Sequence, residues 1–230
     1  MINERLELEK GIETLGLSAS STQIDALLLF LENLELTNKS FNLTRIARSD
    51  YVSLHLLDSL ATLTVLDKAA NLRLLDIGTG AGFPGVPLAA LLPASSITLL
   101  DATAKKVRFA SETAHACGIT NVSGIHGRAE MLARTQQHRE RYDLVTSRAL
   151  APFPLLIELM LPLVKIGGQA IALKGSSFEA EISGTEDLIR ELGGDAPQVH
   201  AVKLPGTEIV RHLIVIPKKR ATHKKFPRVE

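Results

Sequence analysis

The hydrophobic rhythm of this chain changes near residue 70. Before that point apolar residues recur at helical spacing. "IDALLLFLENLEL" repeats them every three or four positions, directly after the Ser/Thr start "SSTQ", which suits a helix N-terminus. "YVSLHLLDSLATLTVL" has the same rhythm, and the polar "TNKSFNLTRIARSD" between them reads as turn. Residues 1–68 are therefore expected to form a helical extension. After residue 70, short apolar runs alternate with amphipathic stretches. The runs are "LRLLDIG", "SITLLDA", "NVSGIHG", "YDLVTSR", "GGQAIALKG", "AVKLPG" and "RHLIVIP"; helical spacing lies between them in "AKKVRFASETAHACG" and "FPLLIELMLPLV". Such alternation predicts an α/β domain over 69–216, with a mostly parallel sheet covered on both faces. The last two runs leave no room for a helix between them, so they should pair antiparallel at the sheet edge. No repeat or low-complexity linker interrupts the pattern.

Composition narrows the class. Of the 230 residues, 45% are hydrophobic, enough for a sizeable core. No run of about 18 apolar residues suggests a membrane span. The start, "MINERLELEKGIETLGL", mixes charge into its apolar residues, unlike a signal peptide. The single cysteine, Cys117, excludes an internal disulfide, and it is expected in the core. These features point to the cytoplasm. Net charge is only +1, but it is unevenly spread: 217–230 carries six Lys or Arg and one Glu, against 20 basic and 24 acidic residues elsewhere. A basic tail on a mildly acidic body suits a polyanionic partner; a frayed, solubilising terminus is the alternative.

The most informative stretch is "LLDIGTGAGFPG". It contains a dinucleotide-type Gly80-x-Gly82-x-x-Gly85, a weak signal alone. Asp76 stands two residues before the first glycine. A carboxylate beside a pyrophosphate would be repelled, whereas one beside a cationic, zwitterionic ligand would not. Asp101 ends the second strand, where an acid accepts hydrogen bonds from ribose hydroxyls. Both acids suit an adenosine joined to a charged amino acid, S-adenosylmethionine. The plainer readings are a helix cap for Asp76 and a surface turn for Asp101. "GRAE" after the third strand lies where backbone N–H groups would edge adenine.

Missing chemistry then limits the methyl acceptor. A pyrimidine carbon needs a cysteine nucleophile, and Cys117 is expected near the opposite rim. An exocyclic amine typically needs an Asn/Asp-Pro-Pro-aromatic turn, but strand four ends "TSRALAPF". A ribose hydroxyl needs a lysine lowered by acids, and none ends that strand. Guanine N7 has an in-plane lone pair and no proton to remove, so alignment suffices.

The stretches "FNLTRI", "HLLDSL", "LLDIGTGAGFPGVPLA", "LLDATAKKVRF", "GRAE", "VTSRALAP", "ALKG" and "RHLIVI" resemble the small-subunit ribosomal RNA methyltransferase G family, also called glucose-inhibited division protein B. The resemblance runs from Asn38 to Arg228. It implies a class I S-adenosylmethionine-dependent methyltransferase fold, Rossmann-like, with a seven-stranded sheet. It further implies methylation of guanine N7 in 16S ribosomal RNA near the decoding centre. Cofactor contacts implied are Gly78 and Phe83, then Asp101, Ala102 and Thr103, then Ala129 and Glu130; Asp76 and Gly80 join them from the loop reading. Arg148, in "SRA", completes that site and is the candidate catalytic residue. The family often ends in a longer basic Pro/Gly-rich segment than "FPRVE" provides.

Candidates for RNA contact are Arg45, Lys105, Lys106, Lys174 and Arg211, each also readable as an ordinary solvated cation. His55 and Asp58 share a helix face and read first as local hydrogen-bonding groups. His212 reads as structural. No metal cluster is expected, and a monomer is. The competing functions are an NAD-dependent oxidoreductase on the same sheet, which lacks a convincing His/Lys/Tyr set, and a non-catalytic RNA-binding assembly factor.

Overall fold

The computed structural model describes residues 2–66, 71–176 and 178–228; the expected boundary between residues 68 and 69 lies outside them. Helices α1 (Ile2–Thr14) and α2 (Ser21–Asn38) open the chain. Ser20 caps α2 reciprocally: its hydroxyl accepts from Gln23 N, while the Gln23 side-chain oxygen accepts from Ser20 N. That box satisfies N–H groups which a helix start leaves bare. A helical segment over 48–65 changes geometry along its length. Its middle, Val52–Leu57, is a π-helix, followed by the short α3 (Asp58–Leu60) and a 3-10 stretch, Ala61–Val65. Single π turns are rare and occur disproportionately at functional sites.

The remainder alternates: β1 (Arg73–Ile77), α4 (Gly85–Leu91), β2 (Ser96–Asp101), α5 (Ala104–Ala116), β3 (Val122–His126), α6 (Ala129–Leu132), β4 (Tyr142–Arg148), α7 (Phe153–Met160), β5 (Val164–Lys174), α8 (Phe178–Ile182), α9 (Glu186–Glu191), β6 (Gln198–Lys203) and β7 (Val210–Pro217). The strands form one sheet in the order β3-β2-β1-β4-β5-β7-β6. The first five are parallel to one another, and β7 lies antiparallel between β5 and β6. The seven-stranded, mostly parallel sheet with an antiparallel edge is the one the sequence pattern predicts. His212 lies inside β7, stacked on Phe178 at 4.1 Å.

Strand alternation divides the core between the two faces. Leu74, Leu144 and Leu173 face Leu8, Phe30 and Leu57 of the N-terminal helices. Leu75, Val145 and Ala172 face Phe153, Ile157 and Ile189 on the other side. The N-terminal helices therefore share a core with the sheet, and Asp76, in phase with Leu74, points towards them. Chain order reverses between β1 and β4. A crevice at the carboxyl ends of those strands is where such sheets bind ligands.

The basic segment after β7 is packed down, in contrast to a frayed terminus. Lys218 is fully buried, and its ammonium donates to Leu161 O, Leu192 O and the Thr222 hydroxyl. Arg139 donates to Phe226 O and Thr222 O, and Arg228 forks onto Glu158. Several of its positive charges therefore serve internal contacts. Among the described residues, no helix is long and apolar enough to cross a membrane, and no three His, Cys, Asp or Glu cluster to hold a metal ion.

Candidate active site

The loop after β1 owes its shape to glycines in left-handed conformation: φ is +68° at Gly78, +58° at Gly80 and +103° at Gly82. Side chains other than glycine rarely tolerate that region. The loop is tied to the end of β2. Gly78 N and Thr79 N donate to Leu100 O at 2.8 and 3.0 Å. Gly80 N donates to Asp101 Oδ2 at 3.0 Å, and Thr103 N to Asp101 Oδ1 at 2.8 Å.

Asp76 departs from the expectation that it faces the ligand. It is fully buried and lines neither cleft described below. Its Oδ2 accepts from Gly85 N at 2.9 Å and its Oδ1 from the Thr146 hydroxyl at 3.3 Å. The physical reason is the pleat: in phase with Leu74, the carboxylate lies under the loop, where the start of α4 presents a bare N–H. It acts as a cap, and burial pushes its carboxyl up to about 6.

Two clefts meet at Gly78. One, of about 780 Å³, is bordered by Asp101, Ala102, Ala129, Glu130 and Leu150. The other, of about 540 Å³, is bordered by Gly80, Phe83, His55, Asp58, Arg148, Lys174 and Arg211. Thr103 is exposed beside the first cleft, bonded to Asp101 as above. A carboxylate offers about four acceptor sites, so Asp101 retains capacity for ribose hydroxyls beyond its two N–H donors. A Cβ at Gly80 would meet nothing within 4 Å, while one at Gly78 would come within 2.6 Å of Leu150. The backbone is thus open towards a ligand at the first position and closely covered at the second.

The second cleft is floored by a polar network. Asp58, 1% exposed, takes both Arg148 and Arg211. Arg148 Nη1 donates to Asp58 Oδ2 and to Leu54 O, both at 2.8 Å, and Nη2 donates to His55 Nδ1 at 3.2 Å. An accepting Nδ1 leaves the proton on Nε2, which then donates to the Thr44 hydroxyl at 2.9 Å. Burial first, and then Arg148, push His55 down to about 3. The imidazole is neutral and stacks on Phe83 at 4.2 Å. His55 and Asp58 thus reach across to β4 and β7, beyond the local helix role expected of them. Their spacing on one helix face is the signal the sequence offers; their partners are not legible there.

The other candidates divide. Lys174 is buried beside the second cleft, its ammonium donating to Ala151 O at 3.0 Å and to Glu181 at 2.6 Å. Arg45 is exposed nearby, between the cleft-lining Thr44 and Ile46. Lys105 sits 5.0 Å over the exposed Phe41 ring, and Lys106 is half-buried on α5; neither borders either of these two clefts. Arg48, by contrast, pairs with Glu4 and Glu35. Cys117 is buried at the end of α5.

Strand order, glycine loop and crevice place the molecule among class I methyltransferases. A SAM-dependent methyltransferase from Aquifex aeolicus superposes with a TM-score of 0.52 at 16% identity, over 73% of this chain and 92% of that one. The sequence narrows the class. The family model described as rRNA small subunit methyltransferase G matches residues 23–214. Ribosomal RNA small subunit methyltransferase G of Alkaliphilus metalliredigens is 36% identical over 99% of this chain and 95% of its own. That of Bacillus licheniformis is 40% identical over 95% and 92%. The chain belongs to the rRNA small subunit methyltransferase G family.

Proposed function

We propose that this protein transfers the methyl group of S-adenosylmethionine to N7 of a guanine in 16S ribosomal RNA near the decoding centre. Its substrate would be the small ribosomal subunit or its RNA, and it would work as a cytoplasmic monomer. One observation carries the acceptor assignment: among the described residues, the ionisable groups bordering the second cleft include no spare base. Asp58 is committed to two arginines, Glu181 to Lys174, and both His55 nitrogens are engaged. A cleft of cations without a free base suits an acceptor that has no proton to give up.

When bound, the cofactor supplies an electrophilic methyl on sulfur. The protein's part is placement. Asp101 receives the ribose hydroxyls, and the backbone around Ala102, Ala129 and Glu130 borders the adenine. Gly80 leaves the backbone open to close approach, and Gly78 lets the chain turn beneath Leu150, with Phe83 behind them. Arg148, fixed from behind, presents a guanidinium to the carbonyl edge of the guanine, which aligns its lone pair. Arg211 and Arg45, with Lys105 and Lys106 further out, meet the RNA backbone, whereas Lys174, expected from sequence to do the same, is held by Glu181 and Ala151 O.

The test is transfer of tritiated methyl onto small subunits lacking the modification, followed by nucleoside analysis. The label should appear in 7-methylguanosine, at a rate flat from about pH 6.5 to 8.5, since His55 is already neutral there. A rate rising with slope near one, with chemistry limiting, would show a general base and exclude N7. The family match weighs against an NAD-dependent oxidoreductase and against a non-catalytic assembly factor. Binding of S-adenosylhomocysteine without NAD binding excludes the first, and turnover excludes the second.

A further inference from the structure

We propose that Asp58 is a positioning residue for methyl transfer: one buried carboxylate locks Arg148 and Arg211 into a fixed pair on the RNA side of the cleft. The proposal rests on the reading that the acceptor nucleotide enters this cleft.

Arg148 ends β4 and Arg211 lies in β7, with β5 between them in the sheet. Two guanidiniums brought together there would repel each other and swing apart. Asp58 comes from a third element and joins them. Its Oδ1 accepts from Arg211 Nε at 2.6 Å, and its Oδ2 from Arg211 Nη2 at 3.1 Å and Arg148 Nη1 at 2.8 Å. Arg211 is therefore gripped at two points, a geometry only a planar fork permits. Arg148 is gripped by three groups of the 48–65 segment, namely Asp58, Leu54 O and His55, with Cζ 5.5 Å over the Phe83 ring.

Charge adds a second consequence. One carboxylate between two guanidiniums leaves the cluster at +1, so it still attracts a phosphate or a guanine carbonyl. Both arginines keep part of their surface open, 15% and 19%, while Asp58 is closed off at 1%. The carboxylate touches no substrate. It decides where the cations sit, and a small displacement of a catalytic group can cost far more rate than affinity.

Asp58→Asn in the full chain separates this role from simple fold maintenance. Asparagine keeps the size and one acceptor but removes the charge. S-adenosylhomocysteine affinity should stay within about twofold, while kcat on unmodified small subunits falls about tenfold or more. KM for the subunit should not rise. With the cluster at +2, RNA binding should become steeper in salt, the slope of log K against log salt changing by about 0.7–0.9. Arg148→Lys combined with Asp58→Asn should lose little more kcat than the worse single variant, because both disturb one device. A kcat within about twofold of wild type overturns the proposal, as does cofactor affinity falling in step with kcat. Should Asp58→Asn not fold, Arg211→Gln takes its place with the same two criteria. The comparison counts methyl incorporated into any nucleoside. A wild-type product other than 7-methylguanosine would therefore overturn the N7 assignment while the two criteria for Asp58 still apply.

Discussion

Replacing Asp76 by Asn should expose a pH dependence of stability that the wild type conceals. Burial raises the Asp76 carboxyl from 3.8 to about 6, and burial with Arg148 lowers His55 from 6.5 to about 3. From about pH 3.8 to 6 the folded chain holds a proton on Asp76 that the unfolded chain has released, so raising the pH there removes stability. From about pH 3 to 6.5 the unfolded chain holds a proton on His55 that the folded chain lacks, so raising the pH there adds stability. A difference of one bound proton is worth about 1.4 kcal/mol per pH unit. Over the shared window the two contributions largely cancel, each amounting to about 2–3 kcal/mol. Asparagine keeps an acceptor for Gly85 N and a polar partner for Thr146, but it cannot titrate. Relative to wild type, Asp76→Asn should therefore lose about 2 kcal/mol as the pH is lowered from about 6 to 4. His55→Gln should gain relative stability over the same interval. Urea midpoints at successive pH values measure both differences, and the other titrating groups are common to all three proteins. Curves of Asp76→Asn and wild type that run parallel across this window would show that Asp76 stays ionised despite its burial, and the reasoning would fail.

Two further outcomes test the cofactor half of the site. Asp101→Ala should weaken S-adenosylhomocysteine by about 1–3 kcal/mol, through loss of charge-assisted bonds to ribose. The unliganded melting point should change little, because water can reach the freed Gly80 and Thr103 N–H groups; unchanged affinity in a calorimetric titration would remove Asp101 from the site. Valine at Gly78 or Gly80 should abolish cofactor binding while the unfolding midpoint falls much less than activity does. The left-handed backbone alone costs about 1–2 kcal/mol, and at Gly78 the new Cβ also meets Leu150; normal binding by either variant would displace the loop from the cofactor site.

The two halves of the site differ in how far they can be read from sequence, and the difference is one of contact range. The proposed cofactor half is built from strand ends and the turns that follow them. A glycine loop after one strand, an acid ending the next and a helix start after the third are all local patterns, so Gly80 and Asp101 are candidates from spacing, while Gly78 and Ala129 enter through the family resemblance. Asp76 is local too, yet its role depends on which face of β1 the loop covers. The pleat sends it under the loop, where the start of α4 claims one oxygen and Thr146 of β4 the other. The acceptor half is not local. Asp58 meets Arg148 across 90 positions and Arg211 across 153. No periodicity carries such pairings, because they exist only once the 48–65 segment has packed against the sheet. The same holds for the basic residues after β7: their number suggests a loose polycation, but Lys218 is consumed by buried carbonyls and Arg228 by Glu158. Charge counts along a chain record which cations exist; only the fold decides which of them carboxylates and carbonyls have already claimed. At the second cleft that claim is partial. Arg148 and Arg211 are held yet still face outward, and this is the state a protein needs if it must align an acceptor without taking a proton from it.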